Sequence, residues 1–544
     1  MHPLAPETVG RNAYRHAVLS VIGLALLLVT SPSGADSYDL RDLGRVTPVG
    51  DQSELGCCWA FAACASLESN LLTHGLASGA GADLSEWHVA TMNGMNQPDY
   101  TYPYDSAGEW GGNRDMAAAY FARGQGPTLE ANAHYPLARI EAHQTLTAPP
   151  TYLAVAYGLR AAYELDFSNY GLVATHRNAL KNALASQGAL ATSMYIQGDV
   201  TGSPYFDPAS NGWRYGGAFG ANHGVTLVGW DDGKAITVGG TTTDGAWLVK
   251  NSWGEDFGED GYFWVAYEDA VIAETTTSFV ADPAGPYADI GQNQDGYANG
   301  RYGTSNGNWE EWAAARFTVE TSAPLKAVGL WAVETDQEIT VEIYDSWADL
   351  QAHSNAVETR TVTLEHEGYQ SVSLGQPLEL PLHDEFFVAI GFGADPSLNI
   401  PIEADSSAVG GKTFHTYRHA DTGIWDGNGW QDFANADRVL ALKALFGEFL
   451  PGDADADGDV DIEDLSILAS NWDAPSGMSW SDGDFDADGD VDIEDLSQLA
   501  ANWNVGVSAS QAYSYNGSIP EPGSLVLLAP GAAAFIRGRG IRAR

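Results

Sequence analysis

Apolar residues along the first half of the chain repeat at helical spacing. Phe61, Ala65, Leu71 and Leu72 fall on one face, and Thr73, His74 and Gly75 read as a stop, so a helix is expected over 59–73. Glu68 lies on that same face, where a carboxylate must be buried and paired and is therefore structural. Further helices are expected over 114–122 and 176–187, the second amphipathic with Leu180 and Leu184 one turn apart. The period then changes to two, and strands are expected over 190–196, 224–230, 246–250 and 261–267. From 283 to 449 short alternating runs, such as 338–344 with Ile339, Val341 and Ile343 on one face, and 385–392, are separated by clusters of Gly, Asn and Asp. That pattern predicts an independent all-β sandwich. Beyond it, DADADGDVDIEDLSILASNW from Asp453 recurs as DFDADGDVDIEDLSQLAANW from Asp484.

Composition adds constraints. At 544 residues the chain exceeds one compact core, so three or more modules are expected. A net charge of −47 argues against nucleic acid and anionic membrane surfaces as partners and favours cations. The excess is local: residues 452–504 carry sixteen Asp or Glu and no Lys or Arg. Cys57, Cys58 and Cys64 lie too close together to staple modules with disulfides. Arg11 and Arg15 precede an apolar run over 17–30, then Ser31, Pro32 and small residues to Ala35, the layout of a secretory signal; the run is shorter than the ~20 residues a membrane span needs. The far end reads Pro520-Glu521-Pro522, a short apolar run broken by Pro530, then Arg537, Arg539, Arg542 and Arg544, a sorting-signal layout.

The chemistry centres on DQSELGCCWAF, residues 51–61. Cys58 stands at the start of the first helix, where the positive end of the helix dipole stabilises a thiolate. A nucleophilic thiol needs a base held in one tautomer by a third group. His223 opens a strand in NHGVTLVGW, and Asn251, 28 residues on, ends another in AWLVKNSWG, with Trp253 placed to shield their hydrogen bond. Each piece is weak alone; together they resemble the papain family of cysteine peptidases over 38–267, whose cysteine signature corresponds here to Leu55, Gly56, Cys57, Cys58 and Trp59. The resemblance implies Cys58 as nucleophile, His223 as base, Asn251 as its orienting partner and Gln52, with the Cys58 N–H, as oxyanion donors. It implies Gly111, Gly112 and Trp253 as substrate-binding residues, with Leu84–Glu86 and Tyr135–Pro136 in neighbouring segments, and no catalytic cofactor. Leu55 replaces the family's first cysteine, so the disulfide beside the site is absent. Cys57 is either a tolerated small residue or a redox partner.

The repeats fit the calcium-loop rule of ligands at positions 1, 3, 5, 7, 9 and 12 with Gly at 6. The ligands expected for two calcium ions are Asp453, Asp455, Asp457, the Asp459 carbonyl, Asp461 and Asp464, then Asp484, Asp486, Asp488, the Asp490 carbonyl, Asp492 and Asp495. The duplicated loop with DLSxLAxNW resembles a type I dockerin, which implies a cohesin partner; a calcium-stabilised spacer is the alternative. The sandwich resembles the lectin-like domain that follows some bacterial papain-like peptidases. Its Trp309, Trp312, Trp331, Trp347, Trp425 and Trp430 are either carbohydrate platforms or core. The tail resembles the PEP-CTERM sorting signal and implies surface attachment.

The expected chain is thus a multidomain protein: a signal peptide (1–35), an α+β papain-like peptidase (36–280), a lectin-like β-sandwich (281–449), a small helical EF-hand-like calcium module (450–505), a linker (506–522) and a sorting tail (523–544). The expected function is secreted, cell-surface or periplasmic hydrolysis of protein or peptide substrates. The rival reading is a calcium-dependent adhesive or carbohydrate-binding protein whose peptidase fold is an inactive scaffold.

Overall fold

The computed structural model describes residues 37–506 apart from 96–97, 105–109, 152, 168–173, 199, 293–299, 303–308, 394–399, 405–411, 421, 423, 426, 428 and 437, and gives only the backbone of 201, 300–302, 403–404 and 435–436. The expected leader, and all of the expected linker and tail beyond Gly506, lie outside the described residues. The described chain forms two compact units that part between Glu448 and Phe449.

In the first unit, helix α1 (Cys58–Thr73) is the axis. The expected one-sided helix is in fact buried on nearly every side, from Trp59 through Leu71. Its polar residues do not face water but join backbone of other segments: Ser66 Oγ donates to Ala189 O at 2.7 Å, Ser69 Oγ to Arg45 O at 2.7 Å and Asn70 Nδ2 to Gln187 O at 2.9 Å. Such partners are what makes polar burial tolerable. Glu68, 2% exposed, accepts from Leu84 N at 2.9 Å and from the Thr47 hydroxyl. Helix α2 (Arg114–Ala122) packs its alanines, Tyr120 and Phe121 into the same core, and helix α3 (Ala174–Gln187) buries Leu180 and Leu184 as the periodicity predicts.

The strands in chain order are β1 (Leu159–Asp166), β2 (Leu190–Met194), β3 (His223–Val238), β4 (Thr241–Lys250), β5 (Tyr262–Ala266) and β6 (Thr275–Ala281). The hairpin β3–β4 outruns the sequence expectation because its exposed end, rich in threonine, keeps pairing to Val238↔Thr241. The sandwich region supplies β7 (Trp309–Thr318), β8 (Leu325–Ala332), β9 (Gln337–Tyr344), β10 (Glu358–Leu364), β11 (Glu367–Leu378), β12 (Glu385–Gly391), β13 (Thr413–His419) and β14 (Leu442–Phe446).

Here the structure departs from the expected independent domain. A 13-stranded sheet runs from a short strand at Asp289–Gln292 through β14–β8–β11–β1–β6–β2–β3–β4–β5 to short strands at Gly212–Trp213 and Phe206–Asp207, with Ser37–Asp39 paired to β3. Sandwich strand β11 thus pairs directly with peptidase strand β1, from Glu367↔Glu164 to Gln370↔Ala161. A six-stranded sheet, β10–β9–β12–β7–β13 and a short last strand, packs on the β14–β8–β11 end. Ala313, Phe317, Val328, Leu330, Ile339, Val341, Val388 and Ile390 fill the space between the two sheets. The shared region is further fixed by Lys326 Nζ, 2.8 Å from Asp282 Oδ1, and by Trp331 and Tyr369, which lie in the core of the helical half. Of the tryptophans considered as carbohydrate platforms, Trp312 and Trp331 are buried core, while Trp309, Trp347, Trp425 and Trp430 are half-buried.

The second unit contains the repeats. Helices α4 (Ile462–Ser470) and α5 (Ile493–Ala501) each start at a capping box, Asp461 with Asp464 and Asp492 with Asp495. The copies pack reciprocally: a Cβ on Gly452 would lie 2.9 Å from Leu499 Cα, and one on Gly483 would lie 2.9 Å from Leu468 Cα. Asn471 Nδ2 donates to Asp482 O and Asn502 Nδ2 to Pro451 O, at 2.9 and 2.8 Å. Each copy thus packs against the helix of the other.

Candidate active site

Cys58 is the first residue of α1, and the N-cap residue Cys57 offers no side-chain cap, so the helix presents free N–H groups at this end. Strand β3 starts directly against it. Gly224 N–H donates to Cys58 Sγ at 3.2 Å, and a Cβ at Gly224 would lie 3.1 Å from Trp59 Cα, tighter than an ordinary side-chain contact with backbone. The residue before that glycine is His223, 8% exposed, whose Nε2 lies 2.8 Å from Asn251 Oδ1. Ser252 N–H also donates to this oxygen, at 2.9 Å, which identifies it as the amide carbonyl. A carbonyl only accepts, so Nε2 carries the ring proton and Nδ1 is left as the basic nitrogen. Pairing of Thr226 with Lys250 brings the two strand ends together, and Trp253 covers the imidazole with ring centroids 4.8 Å apart.

Gln52 is anchored to the same strand end. Its N–H donates to Ser252 O at 2.8 Å, its Oε1 accepts from Ser252 Oγ at 2.6 Å and its Nε2 donates to Leu55 O at 2.6 Å, leaving a second amide hydrogen free. On the other side Trp59 Nε1 donates to Trp110 O at 3.0 Å, and a Cβ on Gly112 would come 2.3 Å from Trp59 Cε2, so Gly112, the second of the exposed pair Gly111–Gly112, lies on the indole.

Residues 34–281 match the family described as papain family cysteine protease. They form a papain-family cysteine protease domain. Residues 297–445 match the family described as lectin like domain. The papain-like domain is 28% identical over 240 residues to Cysteine proteinase 15A of Pisum sativum (42% of this chain, 56% of that protein) and 28% identical over 247 residues to Cathepsin S of Mus musculus (42% and 58%). The chain thus spans little more than half the length of these curated relatives. Among solved structures, the cysteine protease and lectin-like domains of Cwp84, described as a surface layer associated protein of Clostridium difficile, share the fold with a TM-score of 0.59 at 20% identity, covering 82% of this chain and 98% of that one.

Within the papain-like domain, burial pushes the Cys58 thiol up, and the N–H groups of Gly224, Trp59 and Cys58 pull it back. Burial also pushes His223 down to about 4, against the hydrogen bond it donates to Asn251. Each charge alone is disfavoured, but proton transfer from Cys58 to His223 creates both at once. Two unit charges about 4 Å apart attract by about 4 kcal/mol at an effective dielectric constant of 20, comparable with the cost of burying the imidazolium. Cys57 points the other way: fully buried, its Sγ lies 3.2 Å from Tyr135 Oη, and burial holds its thiol far up.

Some supports were not visible in sequence. Gly224 and Ser252 are flanking residues whose backbone and hydroxyl do the holding; their only signal was adjacency to His223 and Asn251. Tyr135, expected near substrate, donates to Gln52 O at 2.8 Å and works from behind. Ser85 caps a short helix, accepting from His88 N at 3.1 Å. Glu86 is held well above the usual carboxylate range by burial and by Glu68.

In the acidic repeats, carboxylate oxygens of Asp453, Asp455 and Asp464 lie within 4.8 Å of one another, as do those of Asp459, Asp461 and Asp464, of Asp484, Asp486 and Asp488, and of Asp490, Asp492 and Asp495. Asp464 and Asp495 also clamp their loops: Asp464 accepts from Ala454 N and Asp461 N at 2.7 and 2.8 Å, and Asp495 from Phe485 N and Asp492 N at 2.7 and 2.9 Å. Gly458 and Gly489, at φ 91° and 93°, make the turn that lets each loop close.

Proposed function

We propose that the papain-like domain hydrolyses peptide bonds of protein substrates through a Cys58 thioester. The observation that carries this reading is the single constellation at the start of α1: Cys58 Sγ on Gly224 N–H, with the adjacent His223 fixed through Nε2 to Asn251 Oδ1. Cys58 gives its proton to His223 Nδ1, and the thiolate attacks the substrate carbonyl carbon. The Cys58 N–H and the free amide hydrogen of Gln52 receive the developing oxyanion. His223 then protonates the leaving amine as the C–N bond breaks, leaving a thioester. Water, losing its proton to His223, attacks that carbonyl, and the thiolate is released with the acid product.

Alkylation by iodoacetamide at neutral pH tests this directly. Cys58 should react faster than a free thiol, His223→Ala should remove that acceleration, and peptide hydrolysis should fall by about 10⁴-fold or more in the same variant. Labelling no faster than a free thiol would rule the reading out and leave the scaffold alternative.

The acidic repeats supply hard oxygen donors and fit calcium rather than a softer metal. In this reading Asp453, Asp455, Asp457, Asp461 and Asp464 hold one ion with the Asp459 carbonyl, and Asp484, Asp486, Asp488, Asp492 and Asp495 hold another with that of Asp490. The neutralised loops then allow the two capped helices to pack. Cwp84 is described as surface layer associated, and together with the leader-like start this supports an extracellular site of action. No helix among the described residues is long and apolar enough to cross a membrane.

A further inference from the structure

The substrate-binding pair Gly111–Gly112 is held at both ends. On one side, Trp59 grips Trp110 O and underlies Gly112, as described above. On the other, Arg114, two residues past Gly112, places Nη2 3.2 Å from Glu164 Oε2, with side chains only 28% and 20% exposed. Glu164 belongs to β1, the peptidase strand that pairs with sandwich strand β11. Opposite this stretch stands Gly368, φ 100°, where a Cβ would lie 2.2 Å from Ala162 O and 3.0 Å from Glu164 Cγ. Gly368 of the sandwich thus leaves the room that the stem of Glu164 occupies, and a side chain there would displace it.

We infer that the sandwich region sets the position of the substrate-binding glycine pair through Gly368, Glu164 and Arg114, which makes Glu164 and Arg114 positioning residues for peptide hydrolysis. The inference rests on the peptidase reading. Helix α2 does not need the ion pair to form, because Asn113 caps it by accepting from Met116 N at 2.9 Å and residues 117–122 are buried. What the pair fixes is the point where the chain leaves Gly112. Asp115 lies 3.7 Å from Arg114 Nε, so an Arg114 released from Glu164 has a second carboxylate to turn to.

The test uses the full chain, an oligopeptide substrate and iodoacetamide. Glu164→Gln should raise KM about tenfold while kcat stays within about twofold and Cys58 alkylation is unchanged. Arg114→Met should do the same and Arg114→Lys less. Gly368→Ala should give the same KM rise from the sandwich side. Unchanged KM in Glu164→Gln and Arg114→Met, or a KM rise matched by an equal loss of alkylation rate, would overturn the inference while leaving the peptidase reading intact. Unaltered protein that neither cleaves peptides nor alkylates faster than a free thiol sinks the peptidase reading itself.

Discussion

In the papain-like domain the polar groups around Cys58 meet partners of complementary kind: His223 meets Asn251, Gln52 meets Ser252, and Lys250 Nζ, which meets Thr47 Oγ1 at 3.0 Å, is the cation beside the buried Glu68 and Glu86. In the repeats, carboxylates meet carboxylates within 4.8 Å, and backbone N–H groups of the same loops donate to them, as Gly458 N–H does to Asp453 and Gly489 N–H to Asp484. The first arrangement is complete as folded and reflects packing. The second gathers like charges, which under the proposed calcium reading oppose folding until the cation binds. Polar clustering is common to both; the sign balance tells which one needs a ligand.

The largest expected effect tests the second arrangement. Removing calcium with a chelator should unfold 450–505, because each site occupied at a thousandfold excess over its Kd contributes about 4 kcal/mol and two sites about 8. A calorimetric scan should show the peptidase-and-sandwich transition unmoved while the module's transition disappears. If both transitions move together, or neither does, the contrast between the regions is wrong.

The next effect tests whether the first arrangement depends on its own counter-charges. Lys250 is the cation facing the buried Glu68 and Glu86, and burial lowers its pKa while Glu68 raises it. Lys250→Met should destabilise the first unit by about 3–5 kcal/mol in urea denaturation, since it leaves buried carboxylate uncompensated. Adding Glu68→Gln should recover part of the loss. A cost below about 1 kcal/mol would mean that the cluster is wetter than its burial indicates.

These two cases also show how far sequence reading reaches. Cys58, Gln52, His223 and Asn251 were legible because thiol chemistry demands particular residue types in a particular order, and the acidic loops because their ligand spacing repeats. Helix 58–73 was legible as a helix but not as a central one: Ser66, Ser69 and Asn70 look like solvent-facing residues until the backbone groups they satisfy are known. The alternating runs between 283 and 449 announce strands, yet nothing in them names β1 as a neighbour of β11, because strand partners are set by non-local packing. The expected independent sandwich failed for that reason, and with it the sight of Gly368 beneath Glu164.

The smallest expected effect returns to His223 and asks how dry the first arrangement is. With Cys58 alkylated no thiolate can form, and the imidazole should titrate at about 4, burial outweighing the hydrogen bond to Asn251. An unfolded histidine titrates near 6.5, so between those values the unfolded chain binds a proton that the folded one refuses. Stability should therefore fall as pH drops through that window, by about 3 kcal/mol from this residue in full. The measurement is the difference in urea stability of the first unit between the alkylated protein and alkylated His223→Gln, followed from pH 7 to pH 4. Parallel pH profiles would mean that the imidazole is hydrated, and the ion pair with Cys58 would then need less help from the helix N-terminus than its burial demands. A divergence that grows toward pH 4 would instead show that the imidazolium is not tolerated there without a thiolate beside it.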